Sequence, residues 1–117
     1  MPLIHACIAP HAGDLIDDPN KVKLTRQSMT AIGEHLQALA PDVIMLINPH
    51  GFRVQEALSI SVAERATADW SQAIKLDFEM DTDLAHAIAD EATESNVPVV
   101  RYIYGASGGD CLADDDV

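Results

Sequence analysis

Two histidines are the residues of this chain best placed to do chemistry, because each ends a similar short phrase in which proline precedes it. His11 ends the phrase Ile-Ala-Pro-His and His50 ends Ile-Asn-Pro-His, and a small residue, Ala12 or Gly51, follows each. Neutral imidazoles are the commonest metal ligands in proteins. A single histidine at a strand end can equally cap a neighbouring loop or helix. The repetition favours metal binding, so we predict a shared metal site at His11 and His50.

The elements around the two histidines are expected to bring them together. Apolar runs at Leu3–Ala9 and Val43–Ile47 predict strands, and apolar residues spaced three and four apart predict a helix over Val22–Ala40. Strand, helix and strand make a βαβ unit, whose crossover is almost always right-handed. Both strands then run in the same direction. Both histidines would lie at the carboxyl edge of the sheet, where open α/β sheets bind ligands.

The rest of the chain continues the alternation of strands and helices. We predict strands at Ala57–Val62, Lys75–Phe78 and Val99–Ile103, a loop at Thr67–Ser71 and a helix at Asp83–Ser95. Asp81 or Thr82 is expected to cap this helix and Asn96 to end it, and its buried apolar stripe is expected to include Ala89. This order predicts the α/β class: a three-layer sandwich with a mostly parallel central sheet and helices on both faces. With 117 residues, the chain is expected to form part of one domain, over 1–117.

Composition excludes several classes of function. The formal net charge of -12 repels phosphate backbones and anionic lipids, so neither nucleic acid nor a membrane surface is an expected partner. No apolar run approaches the roughly 20 residues of a membrane span, and no secretory signal is visible. Two isolated cysteines form no disulfide framework. We therefore expect a cytoplasmic protein with reduced thiols.

Two imidazoles at one sheet edge suit two kinds of metal centre. With one carboxylate they form the facial triad of non-haem Fe(II) oxygenases, which leaves positions open for substrate and dioxygen. The same set could hold a catalytic zinc ion. The other histidines are weaker candidates: His5 lies inside a predicted strand, and His35 and His86 are expected to face solvent from their helices.

The chain resembles a known family in three segments. The two Pro-His phrases and Leu76–Asp90 look like the corresponding parts of the class III extradiol ring-cleavage dioxygenases, the family of the protocatechuate 4,5-dioxygenase catalytic subunit. The similarity covers nearly the whole chain. Memo-like relatives, which are not dioxygenases, share the Pro-His phrases. The resemblance implies an Fe(II) enzyme that opens a catechol-type aromatic ring with O2, and His11 and His50 match the metal-binding histidines of the family.

The resemblance also implies residues that these 117 positions do not include. In the family, a glutamate as third ligand and an acid–base histidine lie further along the chain. We therefore expect an N-terminal part that is catalytically silent alone. Asp14 and Glu56 are the nearby carboxylates that could substitute. The assembly is expected to be a homo-oligomer or to include a partner subunit.

Two alternatives stay open on the sequence. One is a Memo-like metal-binding protein that acts through protein partners. The other is a zinc-dependent hydrolase that uses the same sheet edge, with Zn(II) in place of Fe(II). The residues that would separate these three functions do not occur within the chain.

Overall fold

The protein is described by a computed structural model. It describes residues 2–10, 15, 18, 20–49, 52–71 and 74–103. The chain divides into two compact units, Met1–Met45 and Leu46–Val117, which are taken here in turn.

The first unit contains helix α1, Lys23–Leu39, which confirms the predicted helix. A turn leads into it, in which the Asp18 carboxylate accepts the backbone N–H of Asn20 at 3.2 Å. In the predicted apolar stripe, Met29, Ile32 and Leu36 are half-buried, whereas Leu39 at the end of the stripe is 37% exposed. Amphipathicity therefore orients α1 as predicted, and no residue of the helix is fully buried.

Helix α1 ends at a residue with a left-handed backbone. Ala40 has φ 45° and ψ 58°, and its N–H donates to the Gln37 carbonyl. An L-residue with a Cβ adopts this conformation at a cost of roughly 1–2 kcal/mol. Pro41 follows, and it disfavours helical backbone at the residue before it. The helix ends where the sequence predicts, with a strained residue at its carboxyl end.

Two segments predicted as strands, Leu3–Ala9 and Val43–Ile47, are not strands in the structure. Their side chains are largely open to solvent, with Ile8 100% and Ile47 83% exposed. A strand exists only where its backbone groups meet those of a neighbouring strand, which local composition cannot provide. These two predictions, and the βαβ unit built on them, are wrong for the residues that the structure describes.

The second unit contains a pair of parallel strands covered by a helix. Strand β1, Leu58–Ser61, lies beside β4, Val99–Tyr102, in parallel register. Helix α2, Thr82–Glu94, packs against both strands. Its predicted apolar stripe is the side that is covered, and Ala89 in the middle of that stripe is 0% exposed. The predicted strands at Ala57–Val62 and Val99–Ile103 and the predicted helix are thereby confirmed.

Both ends of α2 are closed by hydrogen bonds that the sequence foreshadows. The Asp81 carboxylate accepts the Leu84 backbone N–H at 2.9 Å, as an N-cap residue does. At the other end Asn96 is left-handed, with φ 60°. Its N–H donates to the Thr93 carbonyl, and the Val97 N–H donates to the Ala92 carbonyl. These two bonds form a Schellman motif, which satisfies the last carbonyls of the helix.

An antiparallel hairpin connects β1 to α2. Strand β2, Arg65–Ser71, pairs with β3, Ile74–Glu79. The strand predicted at Lys75–Phe78 is confirmed, and the loop predicted at Thr67–Ser71 is wrong. Strand β2 was predicted as a loop because it contains polar residues, which alternate with alanines in its first half. Across the pair of strands, the Arg65 guanidinium lies 2.6 Å from the Asp77 carboxylate. Cross-strand ion pairs of this kind support a strand that has few apolar residues of its own.

The architecture is of the α/β class, with helices, an antiparallel hairpin and a parallel pair of strands. Neither α1 nor α2 has the length and apolarity needed to cross a membrane.

Candidate functional site

The carboxyl ends of β1 and β4 form one edge of the parallel pair. In the register, Ser61 at the end of β1 is the partner of Tyr102 at the end of β4. The ladder continues one step further, because the Val62 N–H donates to the Tyr102 carbonyl at 3.0 Å. Parallel strands of α/β proteins bind ligands at this edge, so it is the place to look for functional residues.

The two faces of β4 at this edge are covered by different parts of the chain. The Arg101 guanidinium pairs with the Asp90 carboxylate of α2, so Arg101 lies on the helix side of the sheet. Successive strand residues point to opposite faces, which places Tyr102 on the other side. There the Tyr102 ring meets the Phe52 ring, with ring centroids 5.2 Å apart and planes tilted by 34°. The chain at Phe52 is thereby held at the carboxyl edge of β4.

The two predicted metal ligands, His11 and His50, lie outside the described residues, and so does Asp14. The candidate carboxylate Glu56 is described. It is exposed and has a left-handed backbone, φ 60°, in the turn that joins Val54 to Ala57. Within the described part of the chain, no group of three His, Cys, Asp or Glu side chains lies close enough to hold a metal ion.

The remaining histidines have structural positions. His35 on α1 and His86 on α2 are both exposed, as predicted. The half-buried His5 contacts His35, with ring centroids 4.9 Å apart and planes at 65°. Edge-to-face contacts of this kind hold segments together by packing. The contact joins the N-terminal segment to α1, and no spacing in the sequence signals it.

The acidic side chains before α2 are also accounted for by structure. Asp77 pairs with Arg65 within the hairpin, Asp81 caps α2, and Asp83 lies in the first turn of that helix. Carboxylates near a helix N-terminus are favoured by the helix dipole. These contacts give the three carboxylates structural roles in the hairpin and at the N-terminus of α2.

Phe52 and Tyr102 are the residues at this edge that the sequence reasoning did not single out. Phe52 comes two residues after His50, and Tyr102 ends a predicted strand. The feature of the sequence that could have indicated this position is an aromatic residue just after the second Pro-His phrase. Its contact partner, 50 residues further on, becomes visible only in the fold.

Comparison with known families gives one match. Residues 5–107 match the model of the catalytic LigB subunit of aromatic ring-opening dioxygenase. No curated protein and no solved structure matches the chain. The matched span contains both Pro-His phrases, β1, β4 and α2. Dioxygenases of this family act on aromatic substrates with O2 and in general depend on non-haem iron. The family model matches residues 5–107 of a chain of 117 residues. This chain therefore belongs to the family of the catalytic LigB subunit of aromatic ring-opening dioxygenases.

Proposed function

We propose that the chain is part of a non-haem Fe(II)-dependent extradiol dioxygenase, which opens a catechol-type aromatic ring with O2. The observation that carries this proposal is the family match over residues 5–107, which includes both Pro-His phrases. In this proposal, His11 and His50 are metal ligands. The reaction class follows from the family, and the catechol type of substrate and the extradiol position of cleavage are the finer steps proposed here.

The support for His11 and His50 is the repeated Pro-His phrase and the family match over residues 5–107. Both histidines lie outside the described residues, so the proposal rests on these two observations.

The donor chemistry of the two histidines fits iron. Two neutral imidazoles are two thirds of the facial triad that non-haem Fe(II) oxygenases use, and the third position takes a carboxylate. When bound, the metal supplies electron density and open coordination positions for the aromatic substrate and dioxygen. Zn(II), the alternative ion, takes the same imidazole donors without redox chemistry. The role of the chain is to hold the metal and to orient the aromatic ring beside it.

The finer statements on fold and context are proposals as well. We propose a three-layer sandwich over one domain, 1–117, with a mostly parallel central sheet and helices on both faces. The parallel pair β1–β4 and the cover of α2 on one side support it. The apolar segments Leu3–Ala9 and Val43–Ile47, largely exposed in the structure, would be covered in the assembled protein, a homo-oligomer or a complex with a partner subunit. A cytoplasmic location accords with the two-cysteine composition.

Hydrogen exchange tests the sandwich. In the assembled protein we expect the amides of β1 and β4 to be protected to a similar degree, because the hydrogen bonds of a central sheet shield both strands. Exchange at the rate of an open chain in β1 and β4 would contradict the central sheet.

Metal titration of single variants tests the ligand assignment. The proteins are wild type, His11→Ala, His50→Ala and the matched controls His35→Ala and His86→Ala, whose imidazoles are exposed on helices. We expect each of the first two changes to weaken Zn(II) binding by at least about tenfold, and the controls to leave it unchanged. Imidazole binds metal only when neutral, so wild-type affinity should fall as pH drops through about 6.5.

The opposite pattern is equally informative. Loss of binding in the control variants, with His11→Ala and His50→Ala unaffected, would move the site elsewhere. Uniform weak binding by all five proteins would mean that the acidic surface holds the ion, and the proposed metal centre would be abandoned. Titration calorimetry measures each affinity and separates these outcomes.

A further inference from the structure

We propose that the outer edge of strand β3 pairs with the same edge of a second copy of the chain, which joins two hairpins into a four-stranded antiparallel sheet. This pairing is a form of strand addition, in which backbone hydrogen bonds across a sheet edge hold two chains together. It specifies the contact of a homo-oligomer and is independent of the proposed metal and reaction. The hairpin of the second unit, β2 and β3, carries the whole argument.

The hairpin stands apart from the packed part of the second unit. Helix α2 packs on β1 and β4, and within the described residues of this unit neither the helix nor the parallel pair packs as closely on the hairpin. A two-stranded hairpin alone is marginally stable at best in water, and further strands stabilise it. Leu76 and Phe78, on one face of β3, are 43% and 56% exposed. The hairpin therefore has both a narrow sheet and uncovered apolar side chains.

The backbone groups of β3 alternate in direction, and one set points away from β2. The Met80 N–H donates to the Glu64 carbonyl at 2.9 Å. Hydrogen-bonded and non-hydrogen-bonded pairs alternate along an antiparallel ladder, so Phe78 and Leu76 also direct their N–H and C=O groups towards β2. The residue between them, Asp77, directs these groups to the outer edge, where a further strand can pair.

The two outer edges of the hairpin differ in regularity. In β2 the register with β3 shifts between Asp69 and Ser71. An irregularity of this kind twists the strand and hinders the pairing of another strand with its edge. In β3 the register is regular from Lys75 to Glu79. The edge of β3 is therefore the one suited to accept a further strand.

The sequence of β3 is complementary to itself when two copies pair antiparallel about Leu76. Leu76 then lies opposite Leu76 of the second copy, and Lys75 lies opposite Asp77 of that copy. The two-fold symmetry repeats the charged pair on the other side of the axis. Opposite charges and apolar residues directly across a ladder stabilise it, whereas like charges destabilise it. An axis at Asp77 would instead place two carboxylates opposite each other, so charge complementarity selects the axis at Leu76.

Both charged residues can make the new contact and keep the contacts of their own hairpin. The Asp77 carboxylate lies 2.6 Å from the Arg65 guanidinium, and its side chain remains 57% exposed. Lys75 already takes part in an interaction within its own chain. A carboxylate has several acceptor sites and an ammonium has more than one donor, so each can serve a further partner. A strand of another sequence would leave Lys75 and Asp77 opposite unmatched groups, which favours a second copy over other partners.

Charge reversals in the full chain test the pairing. Lys75→Asp replaces both attractive pairs by like-charge pairs, so the dimer should weaken on the order of tenfold. The matched control Lys23→Asp changes the net charge by the same amount on helix α1 and should leave the dimer unchanged. Sedimentation velocity over a range of protein concentrations measures the dimer. The salt is about 0.15 M, where a Debye length of about 8 Å screens the net charge of -12.

A complementary variant separates the contact from general effects of charge. The double variant Arg65→Glu/Asp77→Lys inverts the ion pair within the hairpin, and it places two lysines opposite each other in its own dimer. It should therefore be as weakly dimeric alone as Lys75→Asp. When the two variants are mixed, each charged pair is again attractive, and a heterodimer should form with about the wild-type affinity. Circular dichroism of each variant alone checks that both are folded.

Hydrogen exchange of the wild-type chain provides a readout that needs no variant. The Asp77 amide should be protected at high protein concentration and exchange faster on dilution, because its N–H would donate across the dimer edge. The Leu76 amide, which faces β2, should be equally protected at both concentrations.

Four results would overturn the inference. They are a wild type that stays monomeric at every concentration, equal effects of Lys75→Asp and Lys23→Asp on the dimer, failure of the two folded complementary variants to associate, and exchange at Asp77 that does not depend on concentration. If a variant does not fold, the exchange of the wild-type Asp77 amide decides. None of these results bears on the proposed metal ligands or on the proposed reaction, which the Zn(II) titration tests separately.

Discussion

The helices α1 and α2 have the same kind of sequence pattern and different surroundings. Each has apolar residues at spacings of three and four, and each begins and ends within one or two residues of its predicted limits. In α2, Ala89 is fully buried against the parallel strands. In α1, the stripe of Met29, Ile32 and Leu36 is only half-buried. Amphipathicity thus decides which side of a helix is covered, and the neighbouring elements decide how completely.

The ends of the two helices also differ, and α2 is again the helix with the more complete set of stabilising contacts. Helix α2 has an Asp81 side-chain cap and a Schellman motif on Asn96, a residue that tolerates a left-handed backbone. Helix α1 follows Val22, which makes no side-chain cap hydrogen bond, and it ends on left-handed Ala40. The local sequence therefore stabilises α2 at both ends and leaves α1 with a strained exit. Three substitutions test this contrast, in order of expected size.

The largest effect is expected from a charge placed in the covered face of α2. Ala89→Asp buries a carboxylate without a partner, which should destabilise the second unit by on the order of 3 kcal/mol or more. Ala87→Asp, on the exposed side of the same helix, is the matched control and should change the free energy of unfolding little. Urea unfolding followed by circular dichroism measures both. Equal losses in the two variants would mean that α2 is not packed on β1 and β4 as described.

A smaller effect is expected from removal of the α2 cap. Asp81→Ala deletes the acceptor of the Leu84 N–H, and loss of such a cap typically costs about 1 kcal/mol. Asp83→Ala removes a first-turn carboxylate that the helix dipole favours, so its cost should be smaller, about 0.3–1 kcal/mol. Unfolding free energies of the two variants rank the contributions. A larger cost for Asp83→Ala would mean that charge, and not the specific hydrogen bond, stabilises this end.

The smallest effect is expected at the exit of α1, and it has the opposite sign. Ala40→Gly removes the Cβ from a residue with φ 45°, which relieves roughly 1–2 kcal/mol of strain and costs roughly 0.5–1 kcal/mol of backbone entropy, so the melting temperature should rise slightly. Ala38→Gly, two residues earlier inside the helix, should instead lower stability by roughly 0.5–1 kcal/mol. If both variants were destabilised, the left-handed exit of α1 would be excluded. Thermal unfolding of the pair provides the comparison.

The strand predictions show where sequence reasoning fails and why. The segments at β1, β3 and β4 were predicted as strands and are strands. Leu3–Ala9 and Val43–Ile47 have stronger apolar patterns, and the structure shows no strand at either. Strand β2 has a weak pattern and forms because β3 is adjacent and carries complementary charges, as in Arg65 and Asp77. Pairing depends on a partner, so composition alone ranks these segments wrongly.

In the candidate site, too, some residues could be predicted from the sequence and others could not. The repeated Pro-His phrase identified His11 and His50 without any coordinates, and the family match covers both. Both residues lie outside the described structure, so their role as ligands stays a prediction. The contact of Phe52 with Tyr102 could not be predicted, because 50 residues separate them and no local pattern records the approach.

The sequence by itself determined the limits of the two helices, the Asp81 cap, the α/β class and the family, because these depend on neighbours along the chain or on short phrases. The tertiary structure alone decided that β1 pairs with β4 and that Phe52 lies at the carboxyl edge, beside Tyr102. Each of these is a contact between residues distant in sequence. Such contacts form between two complementary surfaces. Their contribution to the free energy of folding depends on both surfaces, so it cannot be predicted from the sequence of either segment alone.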